Sequence, residues 1–142
     1  MKQTLLIADD ESEIREILQL MFEEDFDLLF AKDGEEVVAQ ISQCPALIIL
    51  DMHLPGKTGI EICQHLATLD GDKRPPVIAI SGDTSDSLVK EAYELGVSDY
   101  IGKPFDIVTL HERVLRFLRD IKAVKELQRK DKEIETVAQT AM

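Results

Sequence analysis

The chain is 142 residues long, 44% apolar and 31% charged, which suits one domain with a sizeable core and excludes a disordered segment. Its net charge of −12 excludes direct binding of nucleic acid or an anionic membrane by this segment, because both call for a basic surface. Two cysteines exclude a disulfide framework, and Cys44 and Cys63 lie too far apart for a redox CxxC pair, so reduced thiols in a cytoplasmic protein are expected.

Leu5-Leu6-Ile7-Ala8 predicts a first strand over about 4–8. Ile14, Ile17, Leu18, Met21 and Phe22 recur at helical spacing and give a helix over about 12–24 its buried face. Asp9-Asp10-Glu11 interrupts the opening apolar run, so no signal peptide is read there, and no later stretch approaches the ~20 apolar residues of a membrane helix. Leu28-Leu29-Phe30-Ala31 predicts a short second strand, and Asp33-Gly34 turns the chain into a helix around Val37, Val38 and Ile41. Leu47-Ile48-Ile49-Leu50 is apolar on both faces, as at the centre of a parallel sheet. After a Pro55-Gly56 loop, Ile60, Ile62, Leu66 and Leu69 predict a third helix. Lys73-Arg74-Pro75-Pro76 reads as an exposed connector to a fourth strand, Val77-Ile78-Ala79-Ile80. Thr84 is the expected cap of the fourth helix and Gly96 marks its end. Tyr100-Ile101 predicts a short fifth strand. The last helix begins near Phe105 and docks through Ile107, Leu110, Val114, Phe117 and Ile121.

Residues 120–142 carry five basic and five acidic side chains, so residues 1–119 hold the whole excess of −12. That shift predicts a domain over 1–119 and a helical extension or linker over 120–142. Val124, Leu127, Ile134, Ala138 and Ala141 keep a thin apolar stripe with Asp131 on its seam, compatible with a short coiled coil and equally with a solvated tail.

Short strands alternating with helices predict an α/β fold with a parallel sheet, whose strand carboxyl ends share the edge where ligands bind. Asp9-Asp10, Asp51, Ser81 and Lys103 each follow an apolar run, so three carboxylates, a hydroxyl and an ammonium should meet in one crevice. Two carboxylates at ~4 Å repel by about 4 kcal/mol at an effective dielectric of ~20. The cluster therefore needs a cation, and an all-oxygen set favours Mg²⁺. Asp51 is the expected nucleophile: with a reference pKa of ~3.9 it is ionised without a base, and its attack on phosphorus gives an aspartyl phosphate. Lys103 would add positive charge and Ser81 a hydrogen bond, in a reaction whose catalysis is mostly positioning and charge stabilisation. Gly82 leaves room for the donor.

Taken singly, each residue has a bland reading. Asp9-Asp10 could cap the first helix, Asp51 could be a turn residue, and Ser81 and Lys103 could be loop and surface groups. Their joint placement at strand ends favours one site. His53, His65 and His111 do not cluster in sequence and read as surface or loop residues, and no His/Cys spacing indicates zinc.

The segments Leu6-Ile7-Ala8-Asp9-Asp10-Glu11, Ala31-Lys32-Asp33-Gly34, Leu50-Asp51-Met52-His53-Leu54-Pro55-Gly56 with Gly59, Ile80-Ser81-Gly82, and Leu95 through Phe105 occur together. As a set they resemble the receiver (phosphoacceptor) domain of two-component response regulators, over about residues 3–119. The resemblance implies a doubly wound, flavodoxin-like fold: a five-stranded parallel sheet of order 2-1-3-4-5, five flanking helices and an extended last helix. It implies that Asp51 accepts a phosphoryl group from a histidine kinase, a phosphotransfer protein or a small phosphodonor. Mg²⁺ would be held by Asp9, Asp10, Asp51 and the backbone carbonyl of His53. Lys103 and Ser81 would assist, and Lys103-Pro104 would carry a cis peptide bond. Ser81 and Tyr100 would form a switch pair, the hydroxyl drawn to phosphorylated Asp51 and the ring swinging inward behind it. His53 and Asp83 occupy positions that tune phosphoryl lifetime in the family.

The implied role is a signalling switch read by an output domain or effector. It would not be an enzyme, yet it would catalyse its own phosphorylation and dephosphorylation. A homodimer through the C-terminal helix is a further implication. Two rivals compete with this reading. An aspartate-nucleophile phosphatase of the haloacid-dehalogenase type needs a second acid where His53 stands. A phosphorylation-independent receiver scaffold would leave the intact site without a use.

Overall fold

A computed structural model describes the backbone of residues 2–141 and the side chains of residues 2–130. The strands are β1 (Gln3–Ala8), β2 (Phe26–Ala31), β3 (Leu47–Asp51), β4 (Val77–Ser81) and β5 (Asp99–Gly102). The helices are α1 (Ser12–Phe22), α2 (Gly34–Gln40), α3 (Gly59–Ala67), α4 (Asp86–Glu94) and α5 (Ile107–Ala141). All strand pairs are parallel and the order is β2-β1-β3-β4-β5, as the resemblance implied.

Alternation along the strands divides the core into two layers. Leu6, Ile48, Leu50 and Ala79 face one side, covered by Val37 of α2, Ile62 and Leu66 of α3 and Ala92 of α4. Leu5, Ile7, Leu47, Ile49, Ile78 and Ile80 face the other, under Leu18 and Phe22 of α1 and Leu110, Val114 and Leu118 of α5. Both layers are needed because β3 and β4 are buried along their whole length. Each such aliphatic side chain contributes ~1.5–3 kcal/mol on burial.

Local structure departs from the sequence pattern in several places. Leu69 lies beyond the end of α3 at Ala67; the Arg74 guanidinium donates to the carbonyls of Ala67 (3.0 Å) and Leu69 (2.9 Å), satisfying acceptors at that helix end. In the connector before β4, Pro75 is buried and exposure stops at Arg74. Ser85, not Thr84, is the N-cap of α4; its own side chain makes no capping bond, and the Asp83 carboxylate fixes the turn before it by accepting the Ser85 N–H at 3.0 Å. The last helix starts at Ile107, two residues later than expected, because Asp106 accepts the N–H groups of Val108 (2.9 Å) and Thr109 (3.3 Å). Its buried stripe is Leu110, Val114 and Leu118, spaced by four, whereas Ile107 is 51% exposed. His111 is not a surface residue: its ring packs on Phe22 with centroids 5.4 Å apart, and its Nε2 is buried without a hydrogen-bond partner among the described residues.

Helix α5 runs across residue 119 without a break, and Val124 and Leu127 on it are exposed. Ile134, Ala138, Ala141 and Asp131 lie outside the described side chains. Among the described residues no helix is long and apolar enough to cross a membrane.

Candidate functional site

Sheet register brings the strand ends together. Ala8 pairs with Leu50, Leu50 with Ala79 and Ala79 with Tyr100. Asp9 therefore leaves β1 level with Asp51 at the end of β3, while Ser81 closes β4 and Lys103 follows β5. Asp9, Asp51 and Ser81 are the buried polar residues among those described. Buried polar groups are mostly paired, and each of these three is.

The Lys103 ammonium lies 2.7 Å from Asp9 Oδ2, 3.1 Å from Asp51 Oδ2 and 3.9 Å from Glu11 Oε1. Asp9 Oδ1 accepts the Glu11 N–H at 2.9 Å, and Arg15 donates to the Asp9 carbonyl at 2.8 Å. Asp51 Oδ1 accepts the His53 N–H at 3.0 Å. Ser81 Oγ accepts the Asp83 N–H at 3.0 Å, and the Tyr100 hydroxyl donates to the Asp83 carbonyl at 2.6 Å. Tyr100 thus sits against the β4–α4 loop. His53 Nε2 and Asp83 Oδ2 face each other at 4.0 Å, both side chains exposed.

Burial pushes the Asp9 carboxyl above its ordinary value, and the Lys103 and Glu11 hydrogen bonds pull it down less strongly. For Lys103 the balance is reversed. Burial alone would lower it, but hydrogen bonds to Asp9 and Asp51 outweigh that effect and hold the ammonium above its usual range. Burial also raises the Tyr100 phenol. Asp10 is exposed, yet Asp9, Asp10 and Asp51 each offer a carboxylate oxygen within 4.8 Å of the others. Three carboxylates against one ammonium leave an excess of negative charge, and the donor set is all oxygen. Both features fit a hard divalent cation.

Every residue named from the sequence converges here: Asp9, Asp10, Asp51, His53, Ser81, Tyr100 and Lys103. The Lys103-Pro104 bond is cis. The helix-cap reading of Asp9-Asp10 fails, since Glu11 is the N-cap of α1 and has no capping side chain. Two features escaped the sequence reading. Arg15 is one; it is the lone basic residue between Lys2 and Lys32, and that isolation within an acidic stretch was the available signal. The other is an open cleft of about 680 Å³ running from Asp51 and Lys103 along Ile14, Ile17, Phe105 and Ile107. A separate cleft of about 730 Å³, lined by Lys2, Lys122, Lys125 and Arg129, holds none of the site residues.

Residues 5–115 match the response regulator receiver domain family. Response regulator RR06 of Streptococcus pneumoniae is 32% identical over 127 residues, which are 88% of this chain and 57% of RR06. The chain spans about half the length of the curated relatives it matches. The signal receiver domain of a LuxO repressor protein from Vibrio parahaemolyticus superposes with a TM-score of 0.81 at 21% identity, covering 89% of this chain and 98% of that one, a likeness of fold. The Mn²⁺-bound form of response regulator Rcp1 superposes with a TM-score of 0.69 at 26% identity, covering 79% of this chain and 88% of that one.

The family match overturns one expectation. Receiver domains are phosphoacceptors with autophosphatase activity, so the expectation that the chain is not an enzyme does not stand. Fold, site and family agree: the chain belongs to the response regulator receiver domain family.

Proposed function

We propose that this receiver is a phosphorylation-controlled switch of a two-component phosphorelay, with Asp51 as the phosphoacceptor. The observation that carries the reading is Lys103 Nζ placed between Asp9 and Asp51, within a cluster of carboxylates that can share one cation. The donor would be a histidine kinase, a phosphotransfer protein or a small phosphodonor, and the cleft beside Ile14, Ile17 and Phe105 gives it an apolar wall to approach along.

Asp9, Asp10, Asp51 and the backbone carbonyl of His53 would hold Mg²⁺, and the structurally similar response regulator Rcp1, solved in an Mn²⁺-bound form, supports a divalent cation. When bound, the ion supplies charge neutralisation for the carboxylates and for the phosphoryl oxygens. A carboxylate oxygen of Asp51 attacks phosphorus, and the bond from phosphorus to the donor breaks with its electron pair leaving on the donor. Lys103 stays protonated throughout and stabilises charge as it builds on the transferring group. The Ser81 hydroxyl, which accepts from Asp83, turns to donate to the new phosphoryl oxygen. That rearranges the Asp83 loop, to which Tyr100 is tied. The output domain or effector reads this change. His53 and Asp83, facing each other at the mouth, set how fast water removes the phosphoryl group.

Residues 120–142 form the linker beyond the receiver at 1–119, and exposed Val124 and Leu127 would be covered in a parallel homodimer. Deleting 120–142 should then convert a dimer to a monomer in sedimentation; an unchanged mass refutes the dimer. The switch itself is tested with radiolabelled acetyl phosphate and Mg²⁺. Label that hydroxylamine removes, and that a chelator prevents, supports an acyl phosphate on the chain. Hydroxylamine-stable label, or none when a cognate histidine kinase is also offered, contradicts it.

A further inference from the structure

We infer that Gly34 is a positioning residue for the His53 carbonyl: from α2 it holds the loop that follows Asp51 in the shape the metal site requires. The inference rests on the Mg²⁺ reading above. The loop between β3 and α3 covers residues 52–58 and has no regular structure to fix it. Ordering such residues costs ~1–2 kcal/mol each in backbone entropy, so contacts must supply the geometry.

The two ends of the loop are held from within. The His53 N–H donates to Asp51 Oδ1, and the Gly59 N–H donates to the Met52 carbonyl at 3.0 Å. The middle is held from another helix. Gly34, the first residue of α2, donates its N–H to the Pro55 carbonyl at 3.1 Å. A Cβ on Gly34 would lie 2.4 Å from Lys57 Cβ, 2.5 Å from the Lys57 carbonyl oxygen and 2.8 Å from Lys57 Cα. Two of those three atoms are backbone, so no side-chain rotation relieves the clash and the loop itself must move. Between the two contacts Gly56 takes a φ of +78°, the bend that lets Pro55 and Lys57 both reach Gly34.

The platform is rigid. Asp33 caps α2 by accepting the Glu36 N–H at 2.8 Å, and Glu36 reaches back to accept the Lys32 N–H at 2.9 Å. None of these α2 residues belongs to the carboxylate cluster, so their influence on the ion passes through the loop. Groups that orient metal ligands from outside typically change affinity by ~10–100-fold when altered.

Calorimetric titration of Mg²⁺ into the full chain, Gly34→Ala and Gly71→Ala tests the inference. Gly71 is the control, because a Cβ there meets nothing within 4 Å. Gly34→Ala should weaken Mg²⁺ binding by about tenfold or more while Gly71→Ala leaves it unchanged. A folded Gly34→Ala chain with unaltered affinity overturns the inference. A native chain that binds no Mg²⁺ overturns the underlying metal reading instead. If Gly34→Ala does not fold, amide exchange on the native chain decides. Coupling is reciprocal, so Mg²⁺ must slow exchange at the Gly34 N–H, and an unchanged rate overturns the proposal.

Discussion

Lys103 Nζ lies 2.7 Å from Asp9 Oδ2, although 94 residues separate the two in sequence, and the same nitrogen lies 3.1 Å from Asp51 Oδ2. One ammonium thus serves two buried carboxylates carried by neighbouring strands. Lys103→Met removes that charge and leaves the carboxylates facing each other. Transfer from a small phosphodonor should slow by roughly 10²–10³, the scale seen when a preorganised charge-stabilising group is lost. Mg²⁺ should bind more tightly, because a competing cation has gone. Rapid-mixing phosphorylation and a Mg²⁺ titration measure both, and an unchanged transfer rate contradicts the role given to Lys103.

Burial holds the Asp9 carboxyl above its ordinary value, so the folded chain takes up this proton more readily than the unfolded chain. The stability it contributes is complete below the ordinary value of 3.8 and is lost as pH rises through the raised folded value. At pH ~7 ionised Asp9 therefore weakens the metal-free fold. Asp9→Asn removes the charge and keeps an oxygen for the Glu11 N–H. Without metal it should melt above the native chain near neutral pH, with the gap closing as the solution is acidified. A variant that melts lower contradicts this assignment.

The sheet and site were legible for a shared reason. In a parallel sheet the apolar runs are strands and the residue after each run lies on the ligand edge, so Asp9, Asp51, Ser81 and Lys103 declared themselves by position alone. The strand order came from the resemblance; no periodicity in the runs specifies it. What escaped depends on contacts between distant segments. Ser85, not Thr84, is the N-cap of α4, because Asp83 closes a turn on the Ser85 N–H and delays the helix by one residue, a contact invisible in sequence. Leu118 is buried under α5 while Ile107, at the first turn of the same helix, borders the open cleft and stays half exposed, a difference of position along the helix that spacing does not reveal. Gly34 reads as a turn residue until Lys57 is seen against it.

The docking of α5 is measurable. Leu118→Ala opens space in the buried layer under α1 and α5 and should cost about 2–4 kcal/mol in urea unfolding. Ile107→Ala, at a position half open to solvent, should cost less than about 1 kcal/mol. Equal losses at both positions contradict the placement of the helix.

Tyr100→Phe removes the hydroxyl bonded to the Asp83 carbonyl at 2.6 Å and nothing else. Stability should fall by about 1 kcal/mol, and the β4–α4 loop should exchange its amides faster. Unaltered exchange at Asp83 and Ser85 contradicts a coupling of β5 to this loop.

The central claim is that Asp51 takes the phosphoryl group. Intact mass after incubation with Mg²⁺ and acetyl phosphate, run beside Asp51→Asn, tests it most directly. The account predicts one added phosphoryl group on the native chain and none on the variant. Equal addition to both chains, or none to a native chain that binds Mg²⁺ and is offered a cognate histidine kinase, contradicts it.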